Sequence, residues 1–142
     1  MLGMSDESKH RAAIHERVRQ QHSSELAQDY VEAIHEILEG GSAVTISALQ
    51  KVFGVSHVTV IRTLQRLQEQ GLISGTKSKE ISLTNEGRQV AERAIEKHAL
   101  LKRFFEALGV SDTQADADAE GAEHHLSEET LEAIRRFLEQ QG

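Results

Sequence analysis

Not one of this chain's 142 residues is proline. No pyrrolidine ring removes an amide donor or clashes with the preceding turn, so helices can run until a glycine or a polar cap stops them. Leu, Ala, Glu, Gln and Arg, all good helix formers, are abundant. Cysteine is absent as well, which excludes disulfide staples and thiolate metal ligands. The apolar fraction is 38%, and the aromatic residues are Phe53, Phe104, Phe105, Phe137 and Tyr30. A core built from this chain therefore rests on Leu, Ile, Val and Ala. The length suits one or two small, mostly α domains. No apolar run approaches the ~18 residues of a membrane helix, and the opening MLGMSDESKHRAA lacks a signal-peptide core. The expectation is a cytoplasmic protein without a membrane partner.

Glycines and caps divide the chain. Residues 1–10 are expected to be disordered, and residues 1–22 to form a flexible or partly helical extension with room for a helix over about 9–21. In SSELAQDYVEAIHEILEGG, Leu26, Tyr30, Ile34 and Ile37/Leu38 recur at three- to four-residue spacing, predicting a helix over about 24–39 that Gly40-Gly41 stops. A short apolar-patterned helix, Ile46 to Phe53, leads to Gly54-Val55 and to Ser56, placed to cap a second helix whose Val60, Leu64 and Leu67 share a face. Two short helices joined by a glycine-containing turn are the signature of a helix-turn-helix. Leu72-Ile73 and Ile81-Ser82-Leu83 could pair around SGTKSKE as a wing. From Thr84 a long helix runs to about Leu108, with Val90, Ala94, Leu101 and Phe105 as its stripe. Helices over about 112–124 and 128–140 follow, the last starting at a cap on Ser127. The domains read as a winged helix-turn-helix over 23–87 and a helical domain over 88–142.

The net charge of -7 is segregated. From Ile46 to Arg88 six basic residues face three acids, whereas from His98 to the end four face ten. The middle of the chain can approach a polyanion and the C-terminal part repels one. In a helix-turn-helix the second helix enters the major groove. The exposed positions of its first turns would be His57, Val58, Thr59 and Arg62. Arg62 can contact guanine or clamp a phosphate, and Val58 and Thr59 can meet a thymine methyl. Ser56, Arg66, Lys77 and Lys79 fit phosphate contacts, which position without reading. One such module makes few contacts, so a homodimer is expected.

A second constellation is acidic. On a helix over 112–124, Glu120, Glu123 and His124 would project from one face, and Asp29 and Glu32 lie three apart on the first helix of the DNA-binding part. His98 sits near the apolar face of the long helix. Each residue has an ordinary reading as a solvated helix charge or a half-buried histidine. Taken together, four carboxylates and two imidazoles would be neutralised by two divalent ions, with carboxylates bridging. Oxygen-rich, sulfur-free ligands suit Mn²⁺, and Fe²⁺, Co²⁺ or Zn²⁺ can also be bound in vitro. A two-metal hydrolase could use similar ligands, but there is no HExxH and nothing suggests a nucleophile or a cleft for a small organic substrate. A metal-independent winged-helix regulator, with the acidic segment as plain surface, stays open at this point.

Several stretches together resemble the manganese-responsive branch of the iron- and manganese-dependent repressor family related to the diphtheria toxin repressor. They are DYVEAI at 29–34, FGVSHVTVIRTLQRLQEQGLI at 53–73, LTNEG at 83–87, the histidine in EKHALLKRFFEALGV, and DAEGAEHHLSEET. The resemblance spans about Glu25 to Leu138. It implies that Asp29, Glu32, His98, Glu120, Glu123 and His124 bind two Mn²⁺ ions per subunit. Asp29 and Glu123 stand where iron-responsive relatives carry Met and Cys, which favours manganese over iron. It further implies a homodimer on double-stranded palindromic operator DNA, repressing manganese-uptake genes when the metal is abundant, and no enzymatic activity. The chain departs from longer relatives in lacking their SH3-like third domain, and its short wing SGTKSKE lacks the aromatic or arginine often found there.

Overall fold

A computed structural model describes residues 3, 5–77 and 80–141, with residues 20–23 described by backbone alone. Helix α1 runs without a break from Asp6 to Glu39, capped by Ser5, whose Oγ accepts from the Ser8 amide. This differs from the disorder expected over 1–10, of which residues 1, 2 and 4 lie outside the described residues, and from a helix starting near residue 24. Nothing in the intervening polar stretch breaks a helix, so propagation from the folded end costs little. Helices α2 (Ile46–Phe53) and α3 (His57–Glu69) form the helix-turn-helix. Gly54 ends α2 at φ 63°, ψ 37°, the left-handed region that favours glycine. Ser56 then caps α3 by accepting from the Thr59 amide.

The wing is a two-stranded antiparallel ribbon, β1 (Ile73–Ser74) with β2 (Ser82–Leu83), in which Ile73 pairs with Leu83. Helix α4 (Asn85–Ala107) follows, capped by Thr84, and α5 (Asp112–Ala122) and α6 (Glu128–Gln141) complete the chain. Ser127 caps α6, its Oγ accepting from the Thr130 amide. Gly87 permits the close approach of α4 to the strand region: a Cβ there would lie 1.9 Å from the Leu72 carbonyl oxygen.

Two apolar cores result. The first joins Tyr30, Val31 and Ile34 of α1 to Leu49, Val60, Leu64, Leu67, Ile73, Ile81 and Ala91. Tyr30 stacks on Phe53 with ring centroids 4.1 Å apart. Helix α3 buries Val60, Leu64 and Leu67 at the spacing expected from its sequence, each contributing roughly 1.5–3 kcal/mol of burial. The second core joins Leu100 and Leu101 of α4 to Ala119, Leu131, Ile134 and Leu138. Helix α4 supplies side chains to both cores, and the polar site lies where they meet. No helix among the described residues is long and apolar enough to cross a membrane.

Candidate metal centre and nucleic-acid interface

Three elements and one turn bring the acidic and imidazole side chains together. Asp29 and Glu32 come from α1, on the helix face beside Tyr30 and Val31. His98 comes from α4, and Glu120 from the last turn of α5. The sequence predicts Glu123 and His124 on the same helix face as Glu120, but α5 ends at Ala122 with Glu123 as its C-cap. Glu123 and His124 therefore enter from the turn, which swings His124 toward α1. The chain reverses here because Leu126 joins the second core and Ser127 starts a new helix.

The resulting groups are Asp29, Glu123 and His124; His98, Glu120 and Glu123; and Asp29, Glu32, Glu120 and Glu123, with the ligand atoms of each group within 4.8 Å of one another. Glu123 belongs to all three. Its side chain is 1% exposed, and its two oxygens face different histidines. Oε2 lies 3.2 Å from His98 Nδ1, and Oε1 lies 3.3 Å from His124 Nε2. His98 Nδ1 is also 3.1 Å from Glu120 Oε2, and His124 Nε2 is 3.1 Å from Asp29 Oδ1. Despite these approaches, Asp29 Oδ1, His98 Nδ1 and both Glu123 oxygens are buried without a hydrogen-bond partner. The atoms are near one another but not aligned on one another, as expected of lone pairs aimed at shared points between them.

The electrostatics agree. Burial, then the carboxylates of Glu120, Glu36 and Asp29, push Glu32 up to about 7, with His98 opposing. Burial, then Glu32 and Glu120, likewise push Glu123 up to about 7, against His124 and His98. The adjoining Asp29 carboxylate raises His124, with burial opposing and with Glu123 and Glu25 adding to the rise. Burial would lower His98, but Asp116, Glu123 and Glu120 outweigh it and raise it. Asp29, Glu32, Glu36 and Glu120 also line a cleft of about 280 Å3 with no basic side chain on its wall. Orphaned buried oxygens, unaligned imidazole nitrogens and carboxylates pushed toward neutrality fit divalent cations of the oxygen-preferring kind.

Two residues in this neighbourhood carry contacts that sequence reasoning left unassigned. His124 Nδ1 is 2.8 Å from Gln28 Oε1, and His98 Nε2 is 2.8 Å from Asp116 Oδ1. Asp116 precedes Glu120 by one helical turn, which was a usable signal. Gln28 had none beyond standing next to Asp29.

On the opposite side of the first core, α3 exposes His57, Val58, Thr59, Arg62 and Arg66. Val58 is 55% exposed, an uncovered β-branched side chain on a helix whose other face is fully buried. Ser56 is occupied as the helix cap and also shares a 2.9 Å hydrogen bond with the Thr59 hydroxyl, so both hydroxyls at the tip of α3 have intramolecular partners. Gln65, one turn beyond Arg62, is exposed on the same face, and an amide there has the donor and acceptor that adenine requires. Lys77 is exposed on the wing, and Lys79 lies outside the described residues.

Known proteins share this arrangement. A profile described as the iron-dependent repressor N-terminal DNA-binding domain matches residues 22–81, and the metal-binding and dimerisation domain of the same family matches residues 84–141. The transcriptional regulator MntR of Escherichia coli is 42% identical over 127 residues, covering 89% of this chain and 81% of that protein. The HTH-type regulator MntR of Oceanobacillus iheyensis is 32% identical over 107 residues, covering 75% and 73%. Among solved structures, a manganese-dependent transcriptional repressor in complex with manganese superposes with a TM-score of 0.71 at 31% identity, covering 79% of this chain and 52% of that one. The manganese regulator SloR gives a TM-score of 0.69 at 24% identity, covering 80% and 53%, and so shares the fold. The chain thus spans about half the length of these solved structures.

Proposed function

The chain belongs to the iron-dependent repressor family, and on that premise we propose that it is a manganese-responsive, operator-binding transcriptional regulator in which the metal centre controls the posture of the reading helices. The observation that carries this reading is Glu123, a buried carboxylate with two orphaned oxygens at the seam between the two cores. A carboxylate in such a place is costly unless positive charge compensates it. No lysine or arginine pairs with it among the described residues; only His98 and His124 approach.

Asp29, Glu32, His98, Glu120, Glu123 and His124 are the proposed ligands. Two divalent ions held there would supply the charge that lets four carboxylates share one seam. Asp29 and Glu32 tie the seam to α1, whose next residues belong to the core under α3. His98 ties it to α4, and Glu120, Glu123 and His124 tie it to the second domain. When these six side chains converge without repulsion, α1 is held against α4 and α5 and the orientation of α3 narrows. That lowers the ordering cost of binding DNA, a coupling between two sites through a restricted ensemble. His57, Val58, Thr59 and Arg62 then meet base edges, while Ser56, Arg66, Lys77 and Lys79 are assigned to phosphates.

Homodimerisation through the second domain has its own support. Phe104, Leu108, Ile134 and Phe137 line an apolar groove there, with Leu108 60% and Phe137 39% exposed. A dimer doubles the base contacts and suits a palindromic operator. Repression of manganese-uptake genes is the physiological role that follows.

The test uses a duplex selected from a random-sequence pool in the presence of Mn²⁺, titrated at fixed salt because phosphate contacts make affinity salt-dependent. Glu120→Ala and His124→Ala should each abolish Mn²⁺-dependent binding while sedimentation still shows a dimer. Unchanged Mn²⁺ dependence in both variants would overturn the metal assignment. Binding of the native protein indifferent to Mn²⁺, Fe²⁺ and Zn²⁺ would make it a metal-independent winged-helix regulator.

A further inference from the structure

The two histidines of the centre present opposite nitrogens to it. His124 turns Nε2 toward Asp29 and Glu123, and His98 turns Nδ1 toward Glu120 and Glu123. Each outward nitrogen sits 2.8 Å from an oxygen that can only accept: the Gln28 amide oxygen for His124, the Asp116 carboxylate for His98. In the neutral ring the proton goes to the outward nitrogen, hydrogen-bonded at 2.8 Å, rather than to the inward one, whose carboxylate neighbours lie at 3.1–3.3 Å, and the inward nitrogen keeps its lone pair.

Both acceptors are themselves held. Gln28 Nε2 donates to Ser24 Oγ at 3.2 Å, which anchors the amide whose oxygen faces the ring. Lys102 Nζ lies 3.0 Å from Asp112 Oδ1 and 4.0 Å from Asp116 Oδ1, a cation that favours the ionised carboxylate.

We propose that Gln28 and Asp116 are positioning residues that fix the tautomers of His124 and His98, and that they make the two histidines unequal donors. An ionised acceptor raises the basicity of the imidazole it holds, whereas a neutral amide orients the ring with less effect on basicity. His98 is then the stronger nitrogen donor and His124 the weaker one. The grading rests on the two-ion reading above; the tautomers do not.

The experiment separates the two. Long-range 1H–15N correlation spectra of the 15N-labelled, metal-free full chain are recorded at about pH 9, above the usual histidine range. The expected result is the Nδ1–H tautomer for His124 and the Nε2–H tautomer for His98. Gln28→Leu and Asp116→Leu should each convert their histidine to a mixture. The opposite tautomers in the native chain, or unchanged tautomers in both variants, would overturn the positioning roles.

Calorimetry with Mn²⁺ then reads the grading in single-site backgrounds whose helical circular dichroism matches the native chain. With His124→Ala in place, Asp116→Asn should weaken the remaining affinity about 10- to 100-fold. With His98→Ala in place, Gln28→Glu should tighten it by about tenfold. Unchanged affinities in both backgrounds would overturn the grading. A native chain that binds no Mn²⁺ would overturn the two-ion reading and leave the spectra to decide the tautomers.

Discussion

Glu123 shows how far one side chain can set the behaviour of a small protein. It is 1% exposed, lies between two histidines, and shares its surroundings with Asp29, Glu32 and Glu120. With burial and neighbouring carboxylates holding Glu123 and Glu32 at about 7, the folded metal-free chain binds protons that the unfolded chain releases near 4.5. Between those values the native state carries more protons, so stability falls as pH rises. The raised histidines act in the same direction: their contribution is full below about 6.5 and is lost as pH climbs through their folded values. The metal-free protein should therefore lose stability steadily from about pH 5 to pH 8, measured by urea denaturation. Affinity for Mn²⁺ should rise over the same interval, because protons compete for the same lone pairs. Glu123→Gln keeps the shape and removes a buried charge. It should stabilise the metal-free chain by on the order of 2 kcal/mol at pH 8 and abolish the rise in Tm expected of the native protein on adding Mn²⁺.

At the scale of elements, the turn after α5 and the start of α4 each do something no single helix could. Had α5 continued, Glu123 and His124 would have stayed on the exposed acidic helix. Ending it at Ala122 buries Glu123 and carries His124 to α1. Gly87 lets the first turn of α4 press on the backbone of Leu72. Gly87→Ala should cost about 2–3 kcal/mol by forcing that contact apart, seen as a lower urea midpoint with an unchanged slope. Gly54→Ala meets no neighbour and pays only for its positive φ, on the order of 1 kcal/mol. On α3, Arg62→Ala should cost about 1–3 kcal/mol and relax base preference at one operator position in a selection experiment. Lys77→Ala, on the wing, should weaken all sequences alike and reduce the salt slope by about 1.

At the scale of the whole molecule, the two cores share helix α4, and the polar seam beside it carries carboxylates from both domains. Such a joint is soft when its charges repel and stiff when they are balanced. Hydrogen exchange at the backbone of 26–34 and 118–126 should slow on adding Mn²⁺, while the interior of α6 should change little. Equal slowing everywhere would point to simple global stabilisation, about 2.7 kcal/mol at a hundredfold excess over Kd.

The absence of proline, the glycine stops and the three- to four-residue apolar spacing were enough to predict six helices, all but the start of the first near their observed places, because those signals act within a few residues of one another. The six acidic and imidazole side chains were also singled out from the sequence, five by shared helix faces and His98 by its place on the long helix, and the family resemblance gave all six their expected role as ligands. Only the tertiary structure decided that α1 is one continuous helix from Asp6, that α5 stops short of Glu123, and that Glu123 rather than a more conspicuous acid is the buried hinge of the site. It also decided that Gln28 and Asp116 hold the histidines. Gln28 and His124 are 96 residues apart, and Asp116 and His98 are 18 apart; no local pattern encodes a contact that exists only after two cores have packed. Burial, hydrogen-bond partners and charge balance are properties of the assembled fold, and they are what make a set of acidic and imidazole side chains a candidate metal centre.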